Sequence, residues 1–185
     1  TVNGSKWITI PVEVKGKYNQ KIRETKISDR RWPERHWTII RNNYKSAPYF
    51  NNYAEIFEDA YTQCKKLEYL SEVNRLFIQL INFLLGINTT ITDSSSYQLS
   101  GDKNEKLISI CIQAAADTYL SGPSAGAYIK TEQFTEAGIS LKWFDYAGYP
   151  EYLQSYPPFD HNVSIIDLLF NCGEGYKKMM KSFIK

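Results

Sequence analysis

With 185 residues, 43% of them hydrophobic and 23% charged, the chain can bury one sizeable core, and its net charge of +2 argues against a dedicated nucleic-acid binder. Its three cysteines, Cys64, Cys111 and Cys172, are widely spaced and form no C-x-x-C pair; this argues against a disulfide framework or a zinc site and fits a reducing, cytoplasmic setting. The longest apolar run, Leu76 to Ile87, is short and broken by Gln79 and Asn82, so membrane insertion is not expected.

The near-neutral total hides an asymmetry. Between Lys15 and Lys45 lie ten basic and three acidic residues, whereas Thr131 to Gly175 carries seven acidic residues and only Lys142 basic. Such segregation suits either a basic surface that attracts an anionic substrate or ordinary solvated helix faces.

In chain order, Trp7 to Val14 reads as a strand with Ile8, Ile10, Val12 and Val14 on one face, and a short strand is expected within Lys21 to Ile27. Trp32-Pro33 starts a helix to about Lys45, because proline lacks an N–H that goes unpaired at the first helical position. Ser46 to Pro48 breaks it. A second helix carries Phe50, Tyr53, Phe57 and Tyr61, and a third spans about Lys66 to Leu85, stopped by Gly86. Ile87 to Thr92 is β-branched enough for a strand, and a helix is expected over about Asn104 to Ala116.

Ala116 to Tyr128 is the pivot of the chain. Thr118 to Leu120 suits a short buried strand, Ser121-Gly122 a turn, and Pro123 the start of a helix reaching Thr131. A helix N-terminus there would favour a phosphate or carboxylate, with the Ser121 and Ser124 hydroxyls beside it; a plain strand-to-helix connection fits the same residues. No lysine completes a Walker loop. An alternating strand comes next at Ile139 to Tyr146, then a Pro- and Tyr-rich loop from Ala147 to Asn162, a helix over Val163 to Phe170 and a basic amphipathic tail helix. Strands separated by helices of this length imply one α/β domain over residues 1–185, a mostly parallel sheet flanked by helices in a Rossmann-like three-layer arrangement.

Few side chains offer chemistry. His36 lies on a basic helix, where packing competes with a role as base, and His161 adjoins Asp160 in the loop. Asp117 precedes the pivot strand, and Asp167 sits in an otherwise apolar helix, facing either water or a buried partner. Ser164, Asp167 and Asn171 share one helical stripe, which is either the wet face of that helix or a wall of a site. No motif specifies a metal or a cofactor.

Tyr119-Leu-Ser-Gly-Pro-Ser-Ala125 with Tyr128, Pro150-Glu-Tyr152-Leu-Gln154, and Val163-Ser-Ile-Ile-Asp-Leu-Leu-Phe-Asn-Cys-Gly173, with Trp7 to Val14, Trp32, His36 and Tyr44 upstream, together resemble the WbqC-like family. The resemblance implies a place beside bacterial surface-polysaccharide (O-antigen) genes and transfer of an acyl or aminoacyl group, glycyl included, to a nucleotide-activated amino sugar. The alternative is a non-catalytic binding or assembly protein of the same process. On the transferase reading His36, Asp117 and Asp167 are candidate proton acceptors, while Ser121, Gly122, Ser124, Tyr128 and Asn171 contact substrate and Lys26 and Arg30 offset its negative charge. The family pattern also implies a further segment before Thr1 that would own part of the site.

Overall fold

In the computed structural model, residues 1–183 are described; Ile184 and Lys185, the end of the expected tail helix, lie outside them. The regular elements in chain order are α1 (Trp32–Tyr44), α2 (Phe50–Cys64), α3 (Leu70–Leu85), α4 (Lys103–Gln113), β1 (Thr118–Ser121), α5 (Thr131–Glu136), β2 (Ser140–Trp143) and α6 (Ile165–Cys172). They fall into two compact units, the larger made of Thr1–Asn88 and Tyr149–Lys185, the smaller of Thr89–Gly148. The coarse expectation of a mixed α/β chain holds.

In the larger unit the helical periodicities become α1, α2, α3 and α6, whose apolar stripes meet around Phe57, Leu169 and Phe170, all fully buried. The Phe170 ring lies 5.1 Å from Phe50, 5.3 Å from Tyr44 and 5.6 Å from Phe57, so α6 is held against both α1 and α2. Burying a side chain of that size contributes about 2–3 kcal/mol. Gly86 stops α3 in the left-handed conformation, as expected. The helix starts four residues later than its periodicity suggests, because Glu68 to Leu70 are drawn into extended pairing: the Ile27 N–H donates to the Glu68 carbonyl and the Leu70 N–H to the Thr25 carbonyl.

The expected wide sheet is not found among the described residues. Trp7 to Val14 stays extended but makes one bridge, Val12 opposite Ile27, and Lys26 bridges Tyr69. Pro11 sits in the middle of that segment without an N–H to give a ladder. Lys21 to Ile27 holds a single 3₁₀ turn at Ile22–Glu24, and Ile87 to Thr92 has no strand partner. The sheet that does form is β1 paired with β2, parallel, with Thr118 opposite Ser140 and Ser121 opposite Trp143. Its own small core is Cys111, Ala125, Ile129, Phe134 and Ile139, with Tyr119 stacked on Phe134 at 5.4 Å. Two strands are fewer than a three-layer sheet needs.

The chain leaves α6 through Gly173, at φ +52°, where a Cβ would lie 2.5 Å from Cδ1 of the Tyr49 ring. Both the backbone conformation and the space require glycine. Gly173→Ala is expected to lower the stability of the larger unit by about 2–3 kcal/mol in urea unfolding; an unchanged midpoint would show that Tyr49 yields freely.

Candidate functional site

The ten residues singled out from the sequence divide evenly between the two units. Asp117, Ser121, Gly122, Ser124 and Tyr128 belong to the smaller one, and Lys26, Arg30, His36, Asp167 and Asn171 to the larger.

In the smaller unit the pivot does leave the carboxyl end of a parallel strand. The strand runs into a five-residue 3₁₀ turn, Pro123–Ala127, and not into the helix to Thr131 expected from sequence. The turn closes early because the Ala125 N–H donates to the Gly122 carbonyl at 3.1 Å, and Ile129 is pulled into the core. So short a turn has no aligned row of free N–H groups, and the expected helix-dipole cradle for an anion is absent here. The buried amide of Asn104 fixes the exit: its Nδ2 donates to the Tyr128 carbonyl at 3.1 Å and its Oδ1 accepts from the Lys130 N–H at 3.0 Å. Ser121 is buried, whereas Ser124 and Tyr128 are exposed, with Lys103 Nζ lying 5.5 Å from the centre of the Tyr128 ring.

Sequence reasoning missed the neighbours of this turn. β2 ends at Trp143, opposite Ser121, and the chain continues through Phe144 and Tyr146, whose rings lie 4.9 Å apart and which are 38% and 64% exposed. Trp143 is also open, and the space beside Gly122 is bounded by the Tyr146 hydroxyl. The signal was present as Trp-Phe-Asp-Tyr at the end of an alternating strand. Asp117 is exposed at the other, amino end of β1, roughly 13 Å from Ser121 along an extended strand. The two ends of the strand do not share a site.

In the larger unit Asp167 is 6% exposed. Its Oδ2 accepts from the Tyr44 hydroxyl at 2.8 Å, and its Oδ1 from the Tyr152 hydroxyl at 2.7 Å and Gln154 Nε2 at 3.1 Å. Burial pushes both tyrosine hydroxyls well above their ordinary range, and the carboxylate they donate to pushes the same way, so both stay protonated donors. Asn171 Nδ2 donates to the Asp167 carbonyl at 2.8 Å and its Oδ1 accepts from the Ser155 hydroxyl at 2.8 Å. The polar stripe of α6 therefore faces the Pro- and Tyr-rich loop, and Asp167 ties that loop to α1 and α6.

His36 is 7% exposed, edge-on to Trp32 at 4.9 Å, and its Nε2 lies 3.1 Å from the Thr9 carbonyl. A carbonyl only accepts, so Nε2 carries the proton and pins the extended N-terminal segment to α1. Burial lowers its pKa from the usual 6.5. Lys26 donates to Glu68 at 2.8 Å and Arg30 to the Leu67 carbonyl at 2.8 Å, so both cations hold the entry of α3. Burial pushes the Cys64 thiol up to about 11 and raises those of Cys111 and Cys172, which leaves none poised as a thiolate nucleophile. Among the described residues no three His, Cys, Asp or Glu side chains gather as a metal site, and no helix is long and apolar enough to cross a membrane.

Comparison with known proteins gives two matches. The model of the WbqC-like protein family matches residues 1–179. The uncharacterized protein Rv1507c of Mycobacterium tuberculosis is 43% identical over 173 residues, covering 94% of this chain and 74% of the relative. No solved structure matches.

Removing the Asp167 carboxylate leaves the half-buried Tyr44 and Tyr152 hydroxyls without their acceptor and takes one of two acceptors from Gln154, so Asp167→Ala is expected to cost about 2–4 kcal/mol in urea unfolding, and Asp167→Asn less; an Asp167→Ala protein with a wild-type midpoint would overturn the tying role. The His36 effect has a definite sign. Its folded pKa lies below the unfolded value, so its contribution is complete above about pH 6.5 and is lost as pH falls through that value and the unfolded chain takes up the proton. The midpoint of thermal unfolding should therefore fall between about pH 7 and pH 5, and more steeply in the wild type than in His36→Gln.

Proposed function

The chain belongs to the WbqC-like protein family, and on that footing we propose that it is a cytoplasmic transferase of surface-polysaccharide (O-antigen) synthesis. It moves an acyl or aminoacyl group, such as glycyl, to the amine of a nucleotide-activated amino sugar. The observation that carries this reading is the cluster at the carboxyl ends of β1 and β2, where exposed Ser124 and Tyr128 in the turn belong to the same unit as Trp143, Phe144 and Tyr146. That end of a parallel pair is where open α/β sheets bind ligands. Aromatic faces suit the apolar face of a sugar ring or a base, and a serine hydroxyl can donate to or accept from sugar hydroxyls. On this reading β1, α5 and β2 correspond to one repeat of a Rossmann-like three-layer fold.

A second reading, a non-catalytic binding or assembly protein of O-antigen synthesis, is favoured by one specific observation. Nε2 of His36 and both carboxylate oxygens of Asp167 are taken up by the protein's own groups. The two readings separate in one experiment, in which the protein is incubated with nucleotide amino sugars and acyl or aminoacyl donors and the products are weighed by mass spectrometry. The transferase reading expects the sugar nucleotide to gain the mass of the transferred group, at a rate at least about tenfold lower in Ser124→Ala/Tyr146→Ala. Absence of any mass change, with a ligand-induced rise in melting temperature, would overturn the transferase and leave the binding protein; absence of both would overturn both.

A further inference from the structure

Before α1 the chain doubles back on itself: the Glu13 N–H donates to the Lys26 carbonyl at 2.9 Å and the Ser28 N–H to the Pro11 carbonyl at 3.0 Å. Residues 14–24 form the loop between these two runs. Its own backbone folds it, the Lys17 N–H donating to the Val14 carbonyl, the Gln20 N–H to the Lys17 carbonyl and the Glu24 N–H to the Lys21 carbonyl. Gln20 Nε2 donates to the Glu13 carbonyl at 3.0 Å, which ties the middle of the loop to its base. The apolar side chains of this ordered loop nevertheless stand in water: Val14 is 65%, Tyr18 98% and Ile22 78% exposed.

Single exposed apolar side chains are ordinary on a protein surface. Here three fall within one short loop, and each has a cation beside it in sequence: Lys15 follows Val14, Lys17 precedes Tyr18, and Lys21 and Arg23 flank Ile22. Lys17 is paired with Glu13, and the Glu24 carboxylate accepts from the Lys21 N–H at 3.2 Å. Lys15, Lys21 and Arg23 make no ion pair among the described residues. With four cations against Glu24 alone, residues 14–24 carry a net charge of +3.

So small a loop falls well short of the roughly 20–30 residues a side that a stable protein–protein interface uses. A lipid surface needs less. Apolar side chains sink to the boundary between headgroups and acyl chains, while lysine and arginine keep their charges among anionic headgroups. Tyrosine, apolar in its body and polar at its tip, suits that boundary. The two signals act together, since a few apolar side chains alone bind marginally and cations gain little from a neutral bilayer.

We propose that the 14–24 loop docks the chain on an anionic lipid bilayer, with Val14, Tyr18 and Ile22 in the headgroup layer and Lys15, Lys17, Lys21 and Arg23 against lipid phosphates. The loop rests on the bilayer and does not span it. This docking is independent of the Ser121–Tyr128 turn and stands whether or not the chain catalyses transfer.

Co-sedimentation of the full chain with vesicles tests it, using phosphatidylcholine with about 30% phosphatidylglycerol against phosphatidylcholine alone. The partition coefficient should be at least about tenfold higher on the anionic vesicles and should fall in about 0.5 M NaCl. Tyr18→Ser/Ile22→Ser should weaken binding at least about tenfold, and Lys15→Gln/Lys21→Gln by about the same factor, since each cation near such a surface is worth about fivefold. All four positions are exposed, so the urea midpoint should not move. Phe83→Ser, a change at a side chain 75% exposed on α3, should leave binding unchanged. Absence of binding at about 2 mM anionic lipid, or wild-type binding by Tyr18→Ser/Ile22→Ser, would overturn the docking loop. Equal binding to neutral vesicles would overturn the role of the cations, and an equal loss in Phe83→Ser would overturn the assignment to this loop. A concentration-dependent dimer in sedimentation velocity, abolished by Tyr18→Ser/Ile22→Ser, would assign the loop to a second copy of the chain and overturn the lipid surface as its partner.

Discussion

A carboxylate cannot be taken out of water unless its oxygens are given donors, and in the larger unit that requirement falls on Asp167. The donors are neutral: two tyrosine hydroxyls and one glutamine amide. Each is itself placed by something else. Tyr44 leans on Phe170 at 5.3 Å, Tyr152 meets Phe159 edge-on at 5.0 Å, and Gln154 holds both main-chain groups of Asp160 at 2.9 Å. A loop without regular secondary structure thereby gains a defined course, because its side chains must converge on one buried charge.

This arrangement separates two kinds of polar residue. Four of those that the fold buries, His36, Asn104, Asp167 and Asn171, are satisfied by partners from the protein and act as fasteners. Ser124, in the turn after the carboxyl end of β1, is exposed, as are the rings of Trp143, Phe144 and Tyr146 at and beyond the end of β2.

The sequence made the helices of the larger unit legible because each depends on a local pattern. Trp32-Pro33, the break at Ser46 to Pro48, Gly86 and Gly173 all fall where the helices begin or end. β1 and its parallel partner were legible for the same reason, as was the carboxyl end of β1 as the place where the turn emerges. What local pattern could not reveal was partnership. Ile87 to Thr92 is β-branched yet has no strand beside it, and Trp7 to Val14 alternates correctly but carries Pro11. The pivot's proline suits an α-helix and a 3₁₀ turn equally, and burial of Ile129 decides between them. Whether Asp167 faced water or a partner turned on Tyr44, 123 residues away. Trp143, Phe144 and Tyr146 were visible only as strand residues, since their exposure results from how briefly β2 pairs.

The division of the chain also orders events on the ribosome. Thr89–Gly148 carries every member of its own core in one uninterrupted stretch. The larger unit is split around it and lacks Leu168, Leu169 and Phe170 until α6 has been made. During synthesis the inserted unit therefore has its complete set of contacts first, while α1, α2 and α3 wait with apolar stripes uncovered for about another 20 residues after it, a few seconds at ordinary elongation rates. In that interval, rather than in the finished molecule, the apolar stripes of α1, α2 and α3 are most open to wrong partners.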